Sequence, residues 1–428
     1  MINDSKKLNI VYINQLDERG GAANLAHALM YSIKQMGNDV SMFVGKKVSK
    51  DPSVYLIQKP FFISKFVKKI TGRDIERFLK EKIYKIFPTD INFSNIRNLF
   101  ESKEYKEADI VHCHNLHAGF FNLKAFQKIS KEKKLIWTLH DMWAITYGTA
   151  HTYSDKIENG FYELPSNEKH PYYNDLVKNK KYLKNKKRQI YDKSHFHLVV
   201  PSVWLKNKVE KSLLGDKPIH LIHNGIDNKT FKRFDKKESR EKLNLPLDKK
   251  IITFLADGGE ANSGKGWKYV ENIIDYFKEK PDIVFMCIGR RSSQKKQSGK
   301  KIIFIDYISD KKTLAEYYSA SDIFLFTSIA ENFPLVILEA MACGLPIVSF
   351  DVGGVKEAVI HNKNGYISKY CDVSDTIRGI ESIQNLMEAE RDKMSQDSIR
   401  RISENFSLDI MTEKYIELYK SLMKNQND

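Results

Sequence analysis

The stretch from Ala320 to Gly354, ASDIFLFTSIAENFPLVILEAMACGLPIVSFDVGG, constrains the fold most, because a strand, a loop, a helix, a second strand and a glycine turn follow one another in it. Its apolar run at 323–326 is typical of a strand buried on both faces of a parallel sheet. Pro334 suits the first turn of a helix, and Gly344 with Pro346 would end that helix. The stretch therefore predicts a strand–helix–strand unit of an α/β protein.

Two carboxylates accompany this predicted helix: Glu331 in the loop and Glu339 about one turn into the helix. The backbone N–H groups between Phe333 and Val336 would face the crevice beyond the carboxyl end of the strand, where a helix start can bind an anion. A phosphate flanked by sugar hydroxyls fits such a site, which indicates a nucleotide sugar. A glutamate on an amphipathic helix is more often simply solvated, and this alternative stays open.

The length and composition indicate a two-domain globular protein. A chain of 428 residues predicts two domains of roughly 200 residues each, and an apolar fraction of 42% is ordinary. The absence of a long apolar run predicts no membrane-spanning helix, and the first residues lack the apolar core of a signal peptide. The 4 cysteines are scattered singly, which favours the cytoplasm and argues against disulfides.

The positive charge is concentrated in the first half, where residues 1–200 hold 34 Lys and Arg against 21 Asp and Glu, a net +13 of the total +16. The charge of this half predicts an anionic partner, which is a nucleic acid, a phospholipid or a phosphorylated substrate; charge alone does not decide among the three. Residues 60–87 read as a basic amphipathic segment that either contacts an anionic membrane surface or packs in a core. Residues 151–193 form a polar, Lys- and Tyr-rich insertion.

The first half also shows the alternation of a Rossmann unit. A strand at 8–13 runs into a loop with Gly20 and Gly21, then into a helix at about 22–36 and a strand at 40–44. Another predicted strand, at 135–139, delivers His140 to the carboxyl edge of the sheet.

A third apolar run, at 108–114, ends among His112, His114 and His117. Three histidines within six residues suggest the hypothesis of a zinc site. No carboxylate or thiolate lies at zinc-ligand spacing, so a metal is disfavoured there.

The spacing of Glu331 and Glu339, within ENFP and ACGLP, resembles the E-x7-E signature of retaining family-4 glycosyltransferases. The resemblance implies an α/β protein of the GT-B fold, with two Rossmann-like doubly wound domains facing across a cleft. It assigns Glu331 to the donor sugar and Glu339 to the ribose of the nucleotide. It also assigns donor binding to the residues at the helix start, which are Asn332, Phe333, Pro334, Leu335 and Val336.

The run WTLHDMWAITYG resembles a segment of the subgroup that makes colanic-acid-type, capsular and other surface polysaccharides. The family resemblance assigns His140 to the donor sugar and the reaction centre. It also implies that the loop with Gly20 and Gly21 approaches the donor phosphate and the acceptor. Residues 147–150 depart from the Gly and Cys that are usual in the subgroup, which leaves the acceptor pocket open.

In the second half, Lys265 occupies the position of a family lysine that neutralises the donor diphosphate, but the usual arginine about six residues earlier is absent. Arg290 or Arg291 is the candidate replacement. Tyr307 lies in the loop where the nucleotide base stacks in the family. The run LIHNGIDNKTF resembles the family's interdomain crossing and divides the chain into 1–222 (with insertions at about 60–100 and 150–193), 223–390, and helices at 391–428 that cross back.

The resemblance implies a hexosyltransferase without cofactor, in which His140, Glu331 and Lys265 are catalytic, and the lack of a D-x-D motif predicts that it is metal-independent. The donor would be a nucleoside-diphosphate sugar, with UDP as the first expectation, and the acceptor a polyprenyl-diphosphate-linked or free saccharide. The enzyme would act in capsule, exopolysaccharide or lipopolysaccharide synthesis, in the cytoplasm or at the inner face of the cell membrane. The alternatives are a non-catalytic sugar-nucleotide-binding partner of a transferase and a basic nucleic-acid-binding protein, whose binding would fall steeply with salt.

Overall fold

The computed structural model describes residues 7–57, 96–152, 154–163, 180–255, 263–289 and 302–424. The chain divides into two compact units. The first comprises residues 1–201, 205–222 and 412–428, and the second comprises residues 202–204 and 223–411. The basic segment at 60–87, Arg290 and Arg291 lie outside the described residues.

The described elements up to residue 222 are strands interspersed with helices. In chain order they are β1 (Asn9–Leu16), α1 (Gly21–Gln35), β2 (Asp39–Lys46), β3 (Val54–Leu56), α2 (Arg97–Glu101), α3 (Lys103–Glu107), β4 (Ile110–Cys113), α4 (Ala125–Glu132), β5 (Lys134–Thr138), β6 (Ile157–Glu158), β7 (Phe161–Tyr162), α5 (Lys180–Asp192), β8 (His197–Val200), α6 (Val203–Glu210) and β9 (Ile219–Leu221).

Seven of these strands form a parallel sheet in the order β3-β2-β1-β4-β5-β8-β9. The order reverses between β1 and β4, which pair in register from Ile10 opposite Ile110 to Ile13 opposite Cys113. Such a reversal leaves a crevice at the carboxyl ends of the two strands, where ligands of doubly wound sheets bind. Strands β6 and β7 form a separate antiparallel hairpin within the predicted insertion.

The second unit repeats this architecture. Its described elements are α7 (Lys236–Lys242), β10 (Lys250–Leu255), α8 (Trp267–Tyr276), β11 (Ile283–Ile288), β12 (Ile302–Ile305), α9 (Lys311–Ala320), β13 (Ile323–Phe326), α10 (Leu335–Ala342), β14 (Ile347–Phe350), α11 (Val355–Ala358), β15 (Gly365–Ser368), α12 (Val373–Gln384) and α13 (Glu388–Asn405). The parallel sheet has the order β12-β11-β10-β13-β14-β15, with its reversal between β10 and β13.

The core of the second unit explains the apolar runs that the sequence shows. Strands β13 and β14 are buried at every position, because apolar side chains of α8 and α12 cover one face of the sheet and those of α9 and α10 cover the other. Strand β11 is likewise buried at five of its six positions. The predicted α/β class with two Rossmann-like sheets is confirmed.

The last helix, α14 (Leu408–Lys424), begins in the second unit and continues in the first. Its Tyr419 hydroxyl lies 3.0 Å from the Tyr12 hydroxyl and 2.6 Å from Nδ1 of His112. On its other side, Nε2 of His112 lies 2.7 Å from Oγ1 of Thr138, which is 2.9 Å from the Tyr415 hydroxyl. This buried network ties α14 to strands β1, β4 and β5. None of the described helices combines the length and apolar character needed to cross a membrane.

Candidate functional site

In the second unit, the chain segments that follow β10 and β13 meet at the point where the strand order reverses. Lys265 belongs to the segment after β10, and Glu331 to the loop after β13. The Lys265 Nζ atom lies 2.7 Å from Oε1 of Glu331. The two side chains are 32% and 15% exposed, so the ion pair stays open to solvent and to a ligand. The structure therefore brings together two of the three residues for which the sequence predicts catalytic roles.

A glycine makes this approach of the two segments possible. Gly266 has a φ of 71° and is the N-cap residue of α8, and a Cβ at this position would stand 1.9 Å from the carbonyl oxygen of Thr327. The backbone N–H of Ile329 also donates to the carbonyl oxygen of Gly264 across 3.0 Å. Any larger residue at 266 would push the lysine segment away from the loop after β13.

The start of α10 differs by one position from the prediction. Pro334 is the N-cap residue, with extended backbone angles, and the first turn starts at Leu335. No side chain caps this turn, so the N–H groups of Leu335 and Val336 keep the polarity that attracts an anion. The side chains of Leu335 and Val336 are half-buried.

Asn332 and Phe333 are buried, at 4% exposure each, and hold the loop in place. Oδ1 of Asn332 accepts a hydrogen bond from the Ser202 hydroxyl at 2.6 Å. The backbone carbonyl of Asn332 accepts a second hydrogen bond from the N–H of Gly354 at 2.7 Å. The carbonyl of Phe333 accepts from Nδ2 of Asn224 at 2.9 Å. The sequence did not single out the loop-holding roles of Ser202 and Asn224, because each lies over 100 residues from its partner.

Glu339 lies one turn inside α10 and is half-buried. Burial raises the pKa of its carboxyl group to about 7, which the charge of Lys311 and a hydrogen bond from Tyr318 only partly oppose. The Tyr318 hydroxyl donates to Oε2 of Glu339 across 3.4 Å. A carboxyl group poised near neutral pH beside a helix start is characteristic of functional sites.

The remaining predicted donor residue of this unit that the structure describes is Tyr307. It follows β12 and is 66% exposed, so its ring is available as a stacking surface. Arg290, the candidate partner of Lys265, stays a prediction outside the described residues.

In the first unit, Gly20 and Gly21 mark the start of α1 after β1. Gly20 has a φ of 90°, and no side chain caps the helix. Both glycines are exposed, and a Cβ at Gly20 would meet no atom within 4 Å. Here the backbone angle, and not a close contact, favours glycine.

His140 follows β5 and meets a histidine of the neighbouring strand segment. Nε2 of His140 lies 3.0 Å from Nδ1 of His114. Burial lowers the pKa of His140 to about 4, although the charge of Asp141 opposes this effect. His140 is therefore a neutral imidazole at pH 7. The sequence did not assign its partner, His114, to the reaction centre.

Beside it stands a second pair, His117 and Asp141, with Nε2 of His117 3.1 Å from Oδ2 of the carboxylate. Burial alone would raise the pKa of Asp141, but the hydrogen bonds from His117 and from the N–H of Trp143 lower it. Asp141 therefore carries a negative charge next to the candidate His140. In the part of the chain that the structure describes, no three His, Cys, Asp or Glu side chains are grouped so as to hold a metal ion.

Two family models match the chain. The model for Glycosyltransferase Family 4 matches residues 19–230, and the model for Glycosyl transferases group 1 matches residues 235–401. The chain carries two glycosyltransferase domains. The first of them contains His140, and the second contains Lys265, Glu331 and Glu339.

Curated relatives resemble these glycosyltransferase domains at low identity. N-acetyl-alpha-D-glucosaminyl L-malate synthase of Bacillus anthracis is 24% identical over 52% of this chain and 59% of its own length. The lipopolysaccharide core biosynthesis mannosyltransferase LpsB of Rhizobium meliloti is 28% identical over 49% of this chain and 62% of its own length. An uncharacterised 41.2 kDa protein in the cps region of Klebsiella pneumoniae is 21% identical over 97% of this chain and 100% of its own length. The chain thus spans about 60% of the length of the first two of these three relatives.

Solved structures share the fold over nearly the whole chain. Sucrose-phosphate synthase from Thermosynechococcus elongatus has a TM-score of 0.69 at 16% identity, covering 98% of this chain and 100% of that one. Anabaena Alr3699/HepE in complex with UDP has a TM-score of 0.62 at 14% identity, covering 97% and 100%. These likenesses confirm the GT-B fold that the sequence predicts for these glycosyltransferase domains.

Proposed function

We propose that the chain is a retaining glycosyltransferase that moves a hexose from a nucleoside-diphosphate sugar to a polyprenyl-diphosphate-linked or free saccharide in the synthesis of a bacterial surface polysaccharide. Two glycosyltransferase domains support the class of reaction. The relatives from a lipopolysaccharide pathway and a cps region support the biological setting. The proposed place of action is the cytoplasm or the inner face of the cell membrane. UDP is the first nucleotide to test, because a neighbour of the same fold was solved in complex with UDP.

The observation that carries this proposal is the ion pair of Lys265 and Glu331 beside the uncapped start of α10. A lysine and the N–H groups of a helix start together favour a diphosphate. When the diphosphate takes over the ammonium group of Lys265, the carboxylate of Glu331 becomes available to accept hydrogen bonds from sugar hydroxyls. The ion pair therefore keeps both groups in position before the donor binds.

Glu339 is proposed to accept hydrogen bonds from the ribose hydroxyls, since its carboxylate lies one turn inside α10, beyond the helix start that would bind the diphosphate. Tyr307 is proposed to stack on the base. Phe333 and Asn332 contribute through the backbone conformation that they impose, because their side chains are buried in the loop. This division separates residues that touch the donor from residues that hold the loop.

The route is proposed to be front-face, with the departing phosphate accepting the proton of the attacking hydroxyl. No carboxylate in the sequence stands out as a nucleophile for double displacement. The protein would then mainly stabilise the negative charge that develops on the leaving diphosphate. Lys265 and the helix start can do this without a metal ion, and the chain has no D-x-D motif. A preorganised donor of this kind contributes about 3 kcal/mol to lowering the barrier.

The test is turnover of UDP- and GDP-sugars, with a polyprenyl-diphosphate sugar as acceptor and with or without EDTA. Lys265→Met and Glu331→Gln should each lower turnover on the order of 100-fold or more. The matched controls are Lys268→Met and Glu279→Gln, which remove the same charges from exposed positions of the same unit. Near-wild-type rates in both site variants would refute the site, and donor binding without turnover would favour the non-catalytic binding partner.

A further inference from the structure

Two histidines at the ends of neighbouring strands form one hydrogen-bonded pair. His114 follows β4, His140 follows β5, and Nδ1 of His114 lies 3.0 Å from Nε2 of His140. The ring planes are inclined by only 20°, with centroids 5.3 Å apart. At this distance a proton must lie between the two nitrogens, so one ring donates and the other accepts.

Both rings are neutral at pH 7. Burial lowers the pKa of His114 well below its ordinary value, and the neighbouring His112 and His140 lower it further. Burial likewise holds the pKa of His140 at about 4, while Asp141 raises it and His117 lowers it. Each ring therefore carries one N–H, and the open question is which nitrogen of each ring holds it.

Either His114 donates the shared proton to His140, or it accepts that proton from His140. The surroundings of His114 decide between these two arrangements. Its Nε2 atom is buried and has no hydrogen-bond partner within the described part of the chain. The ring packs against Tyr12, with centroids 5.0 Å apart, and against His112, at 4.2 Å. If His114 accepted the shared proton, its own N–H would sit on Nε2 as a buried donor without a partner. Orphaned buried N–H groups are rare in folded proteins, whereas buried acceptors with an unused lone pair are somewhat less rare.

We propose that His114 is a positioning residue that donates its Nδ1–H to Nε2 of His140 and so holds His140 as the Nδ1–H tautomer. In this state the Nε2 lone pair of His140 is occupied and its Nδ1 is protonated. The ring can then donate a hydrogen bond to an oxygen, but it has no lone pair with which to remove a proton.

This inference rests on the proposed function, together with the family resemblance that assigns His140 to the donor sugar, and it specifies the hydrogen bond that His140 would make to that sugar. The imidazole would donate to a hydroxyl or phosphate oxygen of the bound donor. It would not act as the base that deprotonates the acceptor hydroxyl. The departing phosphate would remain the proton acceptor, as the front-face route requires.

The first test reads the tautomers directly and does not need activity. Protein labelled with 15N-histidine is recorded in long-range 1H–15N correlation spectra at pH 7, and His114→Asn and His140→Gln assign the two rings. Both rings should show protonated Nδ1 and bare Nε2. A protonated Nε2 in His140 would overturn the proposal, and this readout stands even if no donor is turned over.

The second test compares two substitutions that place an amide group at different distances from the backbone. His114→Asn puts an amide nitrogen near the position of Nδ1, whereas His114→Gln carries it towards Nε2. We expect His114→Asn to keep kcat within about three-fold of wild type and His114→Gln to lower kcat about ten-fold, with the donor KM little changed. Equal kcat in the two variants, at equal thermal stability, would contradict a positioning role. If the wild-type protein turned over no donor, this result would instead count against the proposed function.

Discussion

Replacing Glu339 by glutamine should make the protein more stable and its nucleotide binding weaker. Burial raises the pKa of this carboxyl group from its ordinary value of 4.5 to about 7. Each unit of pKa corresponds to about 1.4 kcal/mol, so ionising the carboxyl group in the folded protein costs up to about 3 kcal/mol. A neutral amide of the same shape does not incur this cost.

The sign of the pH dependence follows from proton binding. Between pH 4.5 and about 7 the folded state holds the proton on Glu339, whereas the unfolded state has released it. The free energy of unfolding therefore falls as the pH rises through this window. The substitution removes this fall, so the advantage of Glu339→Gln should be near zero at pH 4.5 and reach up to about 3 kcal/mol at pH 8.

The assay is urea denaturation of wild type and Glu339→Gln at four pH values from 5 to 8. Glu413→Gln, at an exposed position of α14, serves as the control and should show no such trend. Titration calorimetry with UDP completes the experiment. The wild-type affinity should rise with pH through 7, as the carboxylate forms, and the variant should bind about 10- to 100-fold more weakly at pH 8.

Two outcomes would refute this reasoning. A stability difference that did not grow with pH would mean that Glu339 is not held protonated by burial. Equal UDP affinities of wild type and Glu339→Gln at pH 8 would mean that the carboxylate does not bind the nucleotide. Because the two readouts are independent, each part of the reasoning can fail separately.

Two further substitutions test how the structure supports these residues. Gly266→Ala should lower the free energy of unfolding by about 2 kcal/mol or more, since the new Cβ meets the Thr327 carbonyl and the backbone has a positive φ; urea denaturation checks this against Asn272→Ala on the same helix. Tyr419→Phe should cost about 1–3 kcal/mol, because it leaves the buried His112 without its Nδ1 partner; Tyr31→Phe, at 58% exposure, should cost almost nothing in the same assay.

The sequence predicted the local elements well where periodicity was strong. The apolar run at 323–326 is β13, and the helix expected after Pro334 is α10 at Leu335–Ala342, with Glu339 one turn inside it. The difference at Pro334, which caps the helix and does not belong to its first turn, concerns a single position. Helix ends depend on backbone angles that a residue type only biases.

The supporting contacts could not be predicted in this way. Lys265 and Glu331 are 66 residues apart, His114 and His140 are 26 apart, and Asn224 and Phe333 are 109 apart. The family resemblance predicted that Lys265 and Glu331 contact the same diphosphate sugar, but it did not predict an ion pair between them. Similarly, it assigned His140 and gave no role to His114.

The sequence by itself determined the alternation of strands and helices, because burial on a strand or helix face imposes a period that can be read along the chain. It also determined which side chains stand at the carboxyl ends of the strands. The order in which those strands pair was decided only by the tertiary structure. Placing β13 beside β10 joins Glu331 to Lys265, and placing β5 beside β4 joins His140 to His114. Strand order depends on packing among residues far apart in the chain, which no local period records.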